Sequence, residues 1–119
     1  MEMLKKGPQN YLCIAMIFWN LELFFEFHEW LEQKWLTASG GKRKAMQALI
    51  LSAVVYEQLT YGRTEPAKKT ALKAISFLNQ YSHLISDGLD TDLLIPPLTI
   101  LDPVPPKFSL PYFHDVKRC

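Results

Sequence analysis

The chain has 119 residues, 49% hydrophobic and 21% charged, with a formal net charge of +1. That is the size of one domain able to bury its own core, which excludes intrinsic disorder, a collagen-like repeat and a disulfide-stapled mini-protein. A charge this small gives no bulk attraction for nucleic acid, and Cys13 and Cys119 are too few for a disulfide framework, so they read as free thiols of a reducing compartment.

At the start, Lys5 and Lys6 precede an apolar stretch over 11–19, faintly like the opening of a signal peptide. No small-residue cleavage site follows; Asn20, Glu22 and Glu26 come instead. A membrane span of about 20 residues from Tyr11 would carry Glu22, Glu26, His28 and Glu29 into hydrocarbon, at several kcal/mol each. The expected location is the cytoplasm, with no membrane contact.

The spacing predicts a first helix over 20–35, with Asn20 as N-cap and Glu22 in the first turn. At about 100° per residue, Leu21, Phe24, Leu31 and Trp35 share one side, with Phe25 and Phe27 at its margins. Glu22, Glu26, Glu29 and Gln33 fall opposite. The run 11–18 either extends this helix or forms a short separate one. Residues 37–41, Thr-Ala-Ser-Gly-Gly, form a loop. A second helix is predicted over 42–61, apolar nearly all round and hence central, with Gly62 as its stop. Lys42, Arg43 and Lys44 at its start oppose the helix dipole, so solvent, an acidic neighbour or a bound anion must favour them there. A third helix opens at Pro66 and runs to about His83, burying Ala67, Ala71, Ala74, Ile75, Leu78 and Tyr81, before Asp87-Gly88 closes it. Six of the eight prolines then fall beyond Leu89, which excludes a long helix there. The fold class is all-α: a compact bundle of three to four helices over 1–88. A proline-rich, non-regular but apolar tail over 89–119 is expected to pack on the bundle or on a partner.

One constellation carries chemistry. His28-Glu29-Trp30-Leu31-Glu32 reads HExxE, and its His28 and Glu32, four apart, stack on the apolar face. A buried ionisable group is costly unless paired, so a His28–Glu32 hydrogen bond is the least costly arrangement. Gln47, Tyr56 and Glu57 on the second helix, with Trp35 on the first, complete the candidate pocket. Three readings follow: a structural polar centre of His28, Glu32 and Gln47 that sets helix register; a pocket using His28 as acid or base; or a divalent metal on His28 and Glu32. The zincin pattern needs a second histidine where Glu32 stands, and a di-metal bundle needs a second Glu/His motif, which the chain lacks. His83 and His114 have no supporting spacing. Residues 36–80 hold seven Lys/Arg against two Glu, net +5, between flanks of −2 each. That excess is expected to meet the acidic face within the fold, or water. The lack of aromatic–basic interleaving argues against single-stranded nucleic acid.

The run over 19–35, with Trp19-Asn20, Phe25-Glu26, His28-Glu29, Leu31-Glu32 and Trp35, resembles the signature of the domain-of-unknown-function 309 family. Gly41, Arg43, Gln47, Leu49, Ile50, Ala53 and Tyr56 resemble that family's next helix, and Gly62, Ala67 and Leu72 its following turn and helix. The chain departs from the pattern at Ala48, Glu57 and Arg63, where the family has Gly, a nearby His and Asn. The resemblance implies a multi-helical bundle with the His/Glu motif facing the core, and no established activity. The function expected is a non-enzymatic interaction module, binding an unknown protein partner or a second copy, without a cofactor. The alternative is a small-molecule- or metal-binding enzyme using His28 and Glu32.

Overall fold

The structure is a computed structural model that describes residues 9–84 and 91–108. Among them are five α-helices: α1 (Gln9–Asn20), α2 (Phe24–Trp35), α3 (Gly40–Thr60), α4 (Thr64–Tyr81) and α5 (Ile95–Ile100). Two 3₁₀ turns, Ser82–Leu84 and Thr91–Leu94, follow α4 and precede α5.

The all-helical expectation holds, but the first predicted helix is two. Asn20 ends α1 instead of capping α2, and the chain reverses through Leu21, Glu22 and Leu23. Leu23 N–H donates to the Phe18 carbonyl at 2.9 Å and Glu22 N–H to that of Trp19 at 2.8 Å, the paired bonds of a Schellman cap. The cap's left-handed position, usually glycine, is Glu22 at φ 60°. The same motif closes α3 at Gly62 (φ 72°) and α5 at Leu101 (φ 54°). Only Gly62 was legible, because only glycine adopts this conformation without a steric cost.

The break changes which side of α2 is buried. Phe27 and Leu31 are fully buried, whereas Leu21 and Phe25, expected on or near the apolar side, are 63% and 60% exposed. Trp19, at the end of α1, is the centre of the core. Its ring meets Phe24, Phe27, Tyr56 and Phe108 edge-on at 4.9 to 5.7 Å, the favoured arrangement for aromatic quadrupoles. Its Nε1 donates to the Pro106 carbonyl at 2.8 Å.

The apolar α3 lies between α2 and α4. Ala67, Ala71 and Ala74 are all buried on α4, and their small side chains let the two helices approach closely. At Gly41 the start of α3 passes so near Leu84 and Tyr81 that a Cβ would meet both. In the basic first turn, Arg43 lies 3.8 Å over the Trp35 ring and Lys44 5.2 Å from the Phe77 centroid, so aromatic faces supply negative potential to these two cations.

The segment after α4 is more regular than its prolines suggested. Pro96 and Pro97 stand in the first turn of α5, where their missing N–H groups are not needed. Leu94, Leu98 and Phe108 are buried in the core. Asn20 ties the returning chain down: its amide donates to the Phe108 carbonyl at 2.9 Å and accepts from the Phe108 N–H at 2.8 Å. Cys13 is disulfide-bonded, which corrects its reading as a free thiol; Cys119, Asp87-Gly88 and His114 lie outside the described residues. No helix among the described residues is long and apolar enough to cross a membrane.

Candidate functional site

α2 and α3 pack side by side, which sets His28 and Glu32 of α2 beside Glu57 of α3. His28 Nε2 lies 3.2 Å from Glu32 Oε2, the pairing that the four-residue spacing implies. On the other edge of the ring, Nδ1 lies 3.7 Å from Glu57 Oε1. That is an ion-pair separation, too long for a hydrogen bond, and Glu57 Oε1 is buried without a hydrogen-bond partner. The imidazole is thus flanked by two carboxylates.

The centre is not sealed. The His28 side chain is 24% exposed and that of Glu32 47%, so the expectation of a buried pair is corrected to a half-buried one at the rim of the helix seam. Phe27 and Leu31 occupy the deep positions of α2 instead. Glu57 carries the electrostatic cost: burial raises its carboxyl pKa above the ordinary value, and the charge of His28 offsets part of that rise.

The remaining candidates separate. Gln47 is partly buried and makes no hydrogen bond to His28 or Glu32 among the described residues. Trp35 lies under Arg43, and its indole N–H is buried without an acceptor. Tyr56 belongs to another place. Its ring stacks on Phe24 at 5.5 Å, and it lines a small cavity of about 100 Å³ with Glu22, Phe24, Leu59, Pro103 and Pro105. Its hydroxyl is buried without a partner. Burial first, then the nearby charge of Asp102, pushes its pKa up to about 12, so the phenol stays neutral at any physiological pH.

Glu32 and Glu57 approach opposite nitrogens of one ring, so the three groups do not converge on a point where a cation could bind all of them. No group of three His, Cys, Asp or Glu side chains suited to a metal gathers among the described residues. What the arrangement provides is one hydrogen bond, between His28 and Glu32, with the Glu57 carboxyl on the other edge of the ring.

A second feature had no signal in helical periodicity. α4 and α5 enclose an apolar groove of about 350 Å³, lined by Ala71, Leu72, Ile75, Leu98, Ile100 and Leu101, with Lys68 at its edge. Leu72 and Ile100 stand 70% and 72% exposed on its walls. The groove depends on α5, which the prolines concealed.

Fold and site together define a small helical protein with a His–carboxylate cluster on the seam of its second and third helices. Residues 14–70 match the family described as Domain of unknown function (DUF309). No curated protein and no solved structure matches the chain.

Proposed function

We propose that this protein is a non-enzymatic interaction module whose docking surface is the groove between α4 and α5. The observation that carries the reading is the exposure of Leu72 and Ile100 on either side of an apolar cleft. Large aliphatic side chains grouped around a concavity lose free energy in water that a partner's apolar side chain recovers. The His28–Glu32–Glu57 cluster then serves the seam between α2 and α3.

The test is fluorescence of 1-anilinonaphthalene-8-sulfonate, an anionic aromatic probe, added to dilute native protein. A saturable signal is expected, and Leu72→Glu and Ile100→Glu should each remove it while leaving the melting temperature within a few degrees. No saturable signal, or one indifferent to both substitutions, overturns the reading. The rival enzyme reading places the function at His28 and Glu32. It requires His28→Ala to leave stability unchanged. The expected outcome here is a loss of about 0.5–1.5 kcal/mol in urea unfolding, the worth of one hydrogen bond. Elemental analysis of the purified protein for zinc, manganese and iron completes the comparison.

A further inference from the structure

The groove has a complement on the same molecule. Along the outer side of α2, Phe25, Glu29, Glu32 and Leu36 follow one another at helical spacing, with Glu26 beside them. Phe25 is 60% and Leu36 66% exposed. The ridge is therefore apolar at both ends and acidic between. The groove is apolar, with Lys68 at its edge and Lys69 next to it on α4. Lys68 already pairs with Glu65 at 3.2 Å, but Glu65 is 78% exposed, and an exposed pair of this kind exchanges partners at little cost. Because α3 separates α2 from α4, ridge and groove lie on different sides of one molecule and cannot meet within it.

Resting on the docking reading above, we propose that the groove's occupant is the α2 ridge of a second copy, with Phe25 inserted between Leu72 and Ile100 and the acids of α2 facing Lys68 and Lys69. Two-fold pairing of groove against groove would set these lysines against their own copies; ridge against groove matches opposite charges. Such a contact is head-to-tail, and it generates a ring or an open chain.

The experiment is analytical ultracentrifugation of the full chain. The wild type is expected to gain mass with concentration, and its association constant should fall about tenfold or more from about 0.05 to 0.5 M salt as the exposed charges are screened. Phe25→Glu and Ile100→Glu each leave one surface intact. Each alone should stay monomeric, while their equimolar mixture should form a dimer and nothing larger, because only one junction remains between them. Both sites are exposed, and circular dichroism confirms that each variant is folded. A wild type that stays monomeric to about 1 mM, or a mixture that stays monomeric, overturns the proposal. So does either variant associating alone. If the dye still binds the wild type and not Ile100→Glu, the groove remains a docking surface and only the second copy is excluded as its occupant. If the dye does not bind, both readings fall.

Discussion

Glu57 holds a carboxyl in a half-buried setting with the His28 imidazole 3.7 Å away. Its pKa is raised in the folded state, burial outweighing His28. The folded chain therefore binds this proton more tightly than the unfolded chain does. The stability contributed is complete below the ordinary carboxylate range and is lost as pH rises through the raised value. Glu57→Gln removes that loss. In urea unfolding, the variant is expected to gain on the wild type between about pH 4 and pH 7; a gap that stays constant or reverses would show that the attraction to His28 dominates. The His28–Glu32 contact was legible from spacing alone, because residues four apart on a helix meet wherever the helix lies. Its depth was not, because the break at Glu22 brings Phe27 from the expected margin into the interior beside Leu31.

Three helix ends close with the same pair of hydrogen bonds, and they differ in the residue at the left-handed position. At Gly62 a side chain would meet nothing within 4 Å, so any cost of substitution there is backbone strain. Gly62→Ala should lower stability by about 1–2 kcal/mol, readable as a fall in melting temperature, with the helical circular dichroism signal unchanged. Glu22 and Leu101 bear this cost in the native chain. Glu22 is held by an ion pair at 3.3 Å to Lys107, and beside it Asn20 is hydrogen-bonded to Phe108. These partners are more than 80 residues away, so no local pattern announces the turn. α3 and α4 were legible almost to the residue, because glycine, proline and apolar periodicity agree there.

On the scale of the whole molecule, charge is sorted by helix. α2 carries Glu26, Glu29 and Glu32 along its outer side, and α4 carries Lys68, Lys69 and Lys73. The basic middle of the chain was expected to meet this acidic side within the fold, or water, and Lys68, Lys69 and Lys73 are exposed to water. Arg43, Lys44 and Lys73 lie over aromatic rings, and Lys68 pairs with its own helix. The opposed charges stay available for contact between molecules, which is why the salt dependence of association is the measurement that belongs to this scale.

Periodicity, capping residues and composition by themselves determined that the chain is helical, that its apolar central helix is enclosed by others, and that His28 meets Glu32. These follow from forces acting within a few residues, where helical geometry maps sequence onto space. Only the tertiary structure decided where α1 ends, that Trp19 is the hub of the core, that Tyr56 and Glu57 face different sites, and that α5 completes a groove. Each of those depends on residues distant in the chain meeting once the core has closed, and burial then overrides local preference.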